Sequence, residues 1–276
     1  MEVYKERGLS STETSKTYDD RPSVNLVLSG GGVKGVAHIA LIESLEEAGI
    51  KINAISGSSA GALVGALYGS GLKPNQILDF FKSTPLFRYT WLNPTKAGFF
   101  DSDKYESVIG KYVKDDFESL HISLHIAAVN IEQGEVVYFD KGKLVKPLLA
   151  SCAVPAVFSP VEIDGGLYSD GGVMDNFPIQ PLRDGKLPLL GSYVCKPEIK
   201  EKKGLNSILK VTNHSNALLM YSANSYKFSY TYNTVVFPLG KYSTFDTKRI
   251  DEIYEEAKTF LVKARSIKQL NNIHLL

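Results

Sequence analysis

Gly57-Ser58-Ser59-Ala60-Gly61 is the stretch on which the fold of this chain turns. It reads G-x-S-x-G. Upstream, Lys51-Ile52-Asn53-Ala54-Ile55-Ser56 predicts a short buried strand, and downstream Ala62-Leu63-Val64-Gly65-Ala66-Leu67-Tyr68 predicts an apolar helix. A serine on so sharp a strand-to-helix turn is held in a strained conformation, its hydroxyl pushed to the edge of the sheet. Gly57 and Gly61, two positions either side, keep bulk out of the turn. A Gly/Ser-rich turn without chemistry would carry the same letters, so the neighbouring segments have to decide.

A second glycine cluster follows a second strand candidate. Val24-Asn25-Leu26-Val27-Leu28-Ser29 leads into Gly30-Gly31-Gly32-Val33-Lys34-Gly35, and Val36 to Leu45 then has helical spacing of apolar residues. A glycine loop opening a helix aims several backbone N–H groups at one spot, aided by the helix dipole. Such a spot suits a phosphate or the oxyanion of a tetrahedral intermediate. Gly30, Gly32 and Gly35 satisfy G-x-G-x-x-G, the dinucleotide fingerprint. That fingerprint expects an acid about 20 positions on, at the end of the next strand. Here that strand ends in the serine turn, with no acid near Ile55-Ser56. No Gly-Lys-Ser/Thr follows the loop either. The mismatches favour the oxyanion.

The third element is Asp164-Gly165-Gly166-Leu167-Tyr168-Ser169-Asp170-Gly171-Gly172-Val173-Met174-Asp175-Asn176-Phe177-Pro178. Two strand-like runs, Val161-Glu162-Ile163 and Leu167-Tyr168-Ser169, flank the first Asp-Gly, which predicts a hairpin with Asp164 in its tight turn. Asp170 instead ends the second run, where a carboxylate on rigid backbone suits a general base. Asp175 is read as a cap of the next segment.

These blocks, in this order, resemble the patatin-like phospholipase family. Gly30 to Gly35 is similar to its glycine-rich oxyanion loop, with Lys34 where the family has arginine or lysine. Gly57-Ser58-Ser59-Ala60-Gly61 is similar to its nucleophile elbow, and Asp170-Gly171-Gly172 to its D-G-G/A block. Ser151 to Pro160 resembles the family's apolar, proline-marked run, and Asn176 and Pro178 its usual continuation. The sharp motifs span about residues 24–180; Ser243-Thr244-Phe245-Asp246 is only reminiscent of the family. The resemblance implies a Ser-Asp dyad, Ser59 and Asp170. It implies an oxyanion hole at Gly30, Gly31, Gly32 and Val33, and support from Lys34, Gly35, Gly57, Gly61, Gly171 and Gly172. It implies lipid ester substrates, no cofactor and no metal.

The chemistry is also readable from the residues. Ser59 is a weak nucleophile until a neighbouring base takes its proton. Asp170 serves as that base only if burial raises its pKa. A Ser-His-Asp triad is the enzymatic alternative. Histidine follows the acid in the α/β-hydrolase order, leaving His214 and His274. His274 stands near the end of the sequence, and His214 reads as a surface or capping residue at a helix start. His121 and His125 fall on one face of an alternating run, Leu120 to Ile126, and His38 is read as packed in the first helix. Lys34 is either a solvated lysine at a helix start or a cation that orients the loop or attracts an anionic head group. The alternative from another class is a non-catalytic lipid-binding protein on the same fold, though no motif residue is lost.

Alternating strands and helices predict an α/β fold, a three-layer, mainly parallel sheet flanked by helices, with the site at the carboxyl ends of the strands. Residues 1–21 are polar and lack an apolar leader-like run, predicting a flexible N-terminal tail, and 22–276 a single catalytic domain. The formal net charge of +1 gives no global pull toward nucleic acid. The two cysteines, Cys152 and Cys195, form no disulfide framework or metal pattern. With no membrane-length apolar run, the chain is expected to be cytoplasmic, or peripheral on a membrane or micelle surface. Aromatics from Phe80 to Phe100, broken by Pro85, Pro94 and Gly98, suggest either a loop folded onto the core or a loop-rich cap near the site. Leu124 to Asp140 predicts a hairpin, Leu187 to Val194 a buried strand, and Asp251 to Leu270 an amphipathic helix.

Overall fold

In the computed structural model, which describes residues 21–84 and 102–266, strands and helices alternate along most of the chain. In chain order they are β1 (Ser23–Leu28), α1 (Val36–Glu47), β2 (Lys51–Ser58), α2 (Ala60–Gly69), α3 (Pro74–Ser83) and α4 (Ser102–Ile109). Next come β3 (Ser123–Asn130), β4 (Glu135–Phe139), α5 (Val145–Ser151), β5 (Val161–Ile163) and β6 (Gly166–Asp170). The last are β7 (Leu189–Tyr193), α6 (Ile208–Ser225), β8 (Asn233–Val236) and α7 (Ile250–Ser266).

The strands form one mixed sheet in the order β5-β6-β3-β2-β1-β7-β8, with β4 also on β3. Its centre, β3-β2-β1-β7-β8, is parallel throughout. Both faces of β1 are covered, which explains why Val24 to Leu28 is nearly continuously apolar. Val24, Leu26 and Leu28 join the large core formed with α1, α2, α3 and α7. Val27 faces a smaller core with Phe177, Ile179 and Tyr193. Tyr221 of α6 and Phe228 pack against that second core.

The antiparallel part is built from turns. β3 and β4 pair around Gly134, which has φ 70°. β5 and β6 pair around Asp164 and Gly165, with φ 50° and 81°. Positive φ at both central residues is what a two-residue hairpin turn of matching twist requires.

Several boundaries differ from expectation. β3 starts at Ser123, so His121 lies before it rather than beside His125. Its Nδ1 sits 2.8 Å from the Gly69 carbonyl, and its ring meets the Tyr68 ring edge-on. Of the C-terminal helix, α7 accounts for Ile250–Ser266, with Ile253, Ala257 and Leu261 buried. Residues 1–20, 85–101 and 267–276 lie outside the described residues, and with them most of the tail, most of the aromatic segment and His274. Among the described residues no helix is long and apolar enough to cross a membrane.

Candidate active site

Ser59 connects β2 to α2 with φ 51° and ψ −120°. A non-glycine residue held there costs on the order of 1–3 kcal/mol, so its surroundings must hold it. They do so through Ser151, at the end of α5. The Ser59 N–H donates to Ser151 Oγ at 2.8 Å, and that hydroxyl donates to the Ala127 carbonyl of β3 at 2.6 Å. The turn leaves no space for larger neighbours. A Cβ on Gly57 would lie 2.5 Å from the Ala62 nitrogen, and one on Gly61 would run into the Leu28 carbonyl. One on Gly35 would lie 2.8 Å from Ala60 Cβ. The positive end of α2 starts at the serine.

Strand register brings Asp170 to Ser59. On β3, Ala127 pairs with Ser58 of β2 and the next residue, Ala128, pairs with Asp170 of β6. Because β4 occupies residues 126–130 along the other edge of β3, β6 takes over where β2 ends. Two strands thus meet end to end on one guide strand, with Ser59 leaving one and Asp170 ending the other. The approach is tight: a Cβ on Gly171 would lie 2.5 Å from the Ala127 carbonyl and 2.6 Å from Ser58 Oγ. The Asp170 N–H is fixed by the Ala153 carbonyl at 3.0 Å.

The Asp170 side chain is 5% exposed. Its Oδ1 accepts from the Gly172 N–H at 2.7 Å, while Oδ2 has no hydrogen-bond partner. Burial pushes its pKa up to about 6, against the opposing pull of the Ser59 hydroxyl and the Gly172 N–H. The Ser59 hydroxyl is therefore close enough to act on the carboxylate, yet no hydrogen bond to Oδ2 is formed.

The glycine loop lies against the same serine. A Cβ on Gly30 would lie 3.1 Å from Ser59 Cβ and collide with Asn176 Oδ1. Its four N–H groups divide into two pairs. Gly30 N–H donates to the Asn176 carbonyl at 3.2 Å and Val33 N–H to the Thr244 carbonyl at 2.9 Å. Gly31 and Gly32 N–H make no hydrogen bond among the described residues. Of the four expected oxyanion donors, Gly30 and Val33 thus have their protons engaged in holding the loop in place. Gly32 has φ 57°, and any side chain there would strike the Thr244 backbone.

Behind the loop, His38 is fully buried. Its Nε2 is 2.8 Å from the Ser29 carbonyl and its Nδ1 2.7 Å from Ser192 Oγ. A carbonyl only accepts, so Nε2 carries the proton and Nδ1 accepts from Ser192. Burial lowers the His38 pKa to about 4, leaving it a neutral support of the loop rather than a base.

A cavity of about 1440 Å³ opens onto Ser59, Asp170, Gly31 and Gly32. Leu63, Ile109, Leu149 and Phe158 give it apolar walls, and α6 closes one side. Lys34 is buried and lines the cavity, with no ion pair among the described residues, which removes the solvated-lysine reading. His214 lies well inside α6 on the cavity wall rather than on the open surface, and no bond joins it to Asp170 or Ser59. Cys152 and Cys195 are free thiols on the same cavity. Among the described residues no three His, Cys, Asp or Glu side chains converge to hold a metal.

Three supports escaped the sequence reading: Ser151 as anchor of the elbow, Asn176 against the loop, and a buried pair below the site. In that pair, Asp175 does more than cap. It accepts from Lys227 Nζ at 2.6 Å, from Tyr138 Oη at 2.6 Å and from Phe177 N–H at 3.2 Å.

Residues 26–183 match the patatin-like phospholipase family. The chain belongs to that family. An uncharacterized NTE family protein of Mycobacterium tuberculosis is 35% identical over 165 residues, covering 58% of this chain and 46% of that protein. Lysophospholipase NTE1 of Cryptococcus neoformans is 30% identical over 175 residues, covering 58% of this chain and 10% of that protein. The chain thus spans less than half the length of either relative. Among solved structures, VipD from Legionella pneumophila shares the fold, with a TM-score of 0.50 and 14% identity over 87% of this chain and 67% of that one.

Proposed function

We propose that this chain is a lipid acyl hydrolase of the phospholipase A or lysophospholipase type, with Ser59 as nucleophile and Asp170 as base. One observation carries the reading: a buried carboxylate oxygen without a partner, on a group raised to about 6, beside a serine held at a strained elbow. The family match and the fungal relative named a lysophospholipase support a lipid ester as substrate.

In this mechanism Ser59 Oγ attacks the ester carbonyl carbon while its proton passes to Asp170. The carbonyl electrons move onto oxygen, which Gly31 and Gly32 N–H receive; one such donor is worth about 3–4 kcal/mol of barrier. Collapse breaks the bond to the alcohol, which leaves with the proton from Asp170. Water then gives a proton to Asp170 and attacks the acyl-Ser59 ester. Return of that proton to Ser59 releases the fatty acid. No third side chain is required.

The test is turnover of a short-chain nitrophenyl ester by wild type, Ser59→Ala, Asp170→Asn and His214→Ala. Expected are losses on the order of 10⁴-fold or more in the first two variants, with His214→Ala active. Loss in a folded His214→Ala protein as well would replace the dyad with a triad. An inactive wild type on nitrophenyl and lipid esters alike would point to a binding role.

A further inference from the structure

α6 departs from the usual pattern of a surface helix, which turns polar residues outward and apolar ones inward. Of its 18 residues only Asn224 is buried. Its inner side, with Asn213, Ala217 and Met220, borders the active-site cavity. At 3.6 residues per turn, Ile208, Val211 and Leu218 fall together on the outer side, among Thr212, Ser215 and Ser222, and all six are exposed; Leu219, exposed as well, borders the cavity. Ile208 is 87% exposed and its neighbour Leu209 70%. Past the helix, Tyr226, Tyr230 and Tyr232 are exposed too.

The charge on this region leans positive. Between Glu201 and Asp246 the sequence has no Asp or Glu, yet it holds five lysines; Lys203 pairs with Glu201, Lys241 with Glu256 and the buried Lys227 with Asp175, which leaves Lys202 and Lys210 without an ion pair among the described residues. On α6 the only Lys, Arg, Asp or Glu is Lys210. Lys196, just upstream, stands on the cavity lining.

We propose that α6 and the tyrosines after it form the surface on which this protein seats against an anionic lipid bilayer, with the cavity opening into that bilayer. Exposed aliphatics, tyrosines at the margin and a helix whose one charged side chain is the lysine Lys210 make up the chemistry of an interfacial helix. A second copy of the chain fits less well, because a twofold contact would set Lys202 and Lys210 against their own copies with no acid on α6 to offset them. Continuity with the cavity points the same way. A lipid leaving the bilayer here reaches Ser59 without drawing its acyl chain through water, and this step alone rests on the reading of the site as a lipid hydrolase.

The test uses Ser59→Ala protein, so that bound lipid is not consumed. Flotation is measured with phosphatidylcholine vesicles and with vesicles of phosphatidylcholine mixed with phosphatidylglycerol. Preferred binding to the mixed vesicles, falling with added salt, is expected. Ile208→Glu/Leu209→Glu, at two exposed positions off the cavity lining, should weaken partitioning at least about tenfold with an unchanged melting curve. Ile131→Glu, at an exposed aliphatic on the β3–β4 turn, should bind as the parent does.

Unaltered binding by the double variant, or equal loss in Ile131→Glu, overturns the proposal. So does a wild-type dimer that the double variant disperses. The functional reading is judged separately, with Ser59 restored. There the double variant should keep nitrophenyl ester turnover and lose turnover of lipid in vesicles. A protein that floats but never hydrolyses would sink the hydrolase and leave the docking surface standing.

Discussion

α2 and α6 border the same cavity and are held in opposite ways. All ten residues of α2 are buried, and its glycines let it lie close on the sheet, Gly65 against Ile55 and Leu124 and Gly69 against Ile122. α6, almost twice as long, buries one residue. Both are rich in alanine and leucine, so apolar content alone does not tell which helix carries the core. What differs is the work each does. α2 fixes the strained serine, and strain survives only where packing over-determines it. α6 forms one wall of the cavity, and little burial holds it there.

The largest effect that would sharpen this contrast lies on the rigid side. Asp170→Asn should abolish turnover, by on the order of 10⁴-fold, while making the protein more stable. A carboxylate whose folded pKa stands near 6, above its ordinary 3.8, costs folding energy whenever it is ionised. The difference is about two pH units, so at neutral pH the variant should gain up to about 3 kcal/mol. Urea midpoints of the two proteins at pH 7.5 measure it. A variant less stable than wild type would mean the carboxylate serves structure rather than chemistry.

Next in size is the link between the two regions. Lys227, just beyond α6, is buried with Asp175, which follows the Asp170 turn. Removing one member leaves a buried charge uncompensated, so Lys227→Met should cost about 3–5 kcal/mol. Replacing both, in Lys227→Met/Asp175→Leu, should recover much of that loss. If the double variant is no better, the pair positions the backbone by its hydrogen bonds rather than by charge.

A direct comparison of the helices comes third. Leu67 on α2 is fully buried, and Leu67→Ala should destabilise by about 3 kcal/mol or more. Leu218 on α6 is half exposed, and Leu218→Ala should stay within about 0.5 kcal/mol. Thermal melts of both variants decide it. Equal losses would erase the contrast.

The same contrast separates what was legible in the sequence from what was not. Local signals carried well. The strand-glycine-helix units around Gly30 and Ser59 depend on near neighbours, and the hairpin at Asp164 and Gly165 distinguished that acid from Asp170 at a strand end. Contacts across long separations did not carry. Ser151 holds the Ser59 N–H from 92 positions away. Asn176 and Thr244 accept the Gly30 and Val33 protons and anchor the loop. These pairings follow from strand order and register, which no single segment encodes. Nor was α6 legible as a cavity wall: whether its leucines face a core depends on which elements arrive to cover them, and His214 therefore read as a surface residue.

The smallest wild-type effect is expected from pH, because two buried groups oppose each other. His38 has a folded pKa near 4, below its ordinary 6.5, so the unfolded chain binds its proton first and stability falls as pH drops from about 6.5 to 4. Asp170 has a folded pKa near 6, above its ordinary 3.8, so the folded chain binds its proton first and stability rises over nearly the same span. In wild type the two contributions largely cancel. In Asp170→Asn only the histidine remains, so the variant's advantage of up to about 3 kcal/mol at pH 7.5 should shrink steadily and vanish near pH 4. Carboxylates elsewhere titrate alike in both proteins and drop out of the difference. Turnover by wild type should meanwhile rise through pH 6 as Asp170 loses its proton and becomes a base. An advantage that stays constant with pH would show that Asp170 is already ionised at little cost. The raised pKa, and the role of base that rests on it, would then both fall.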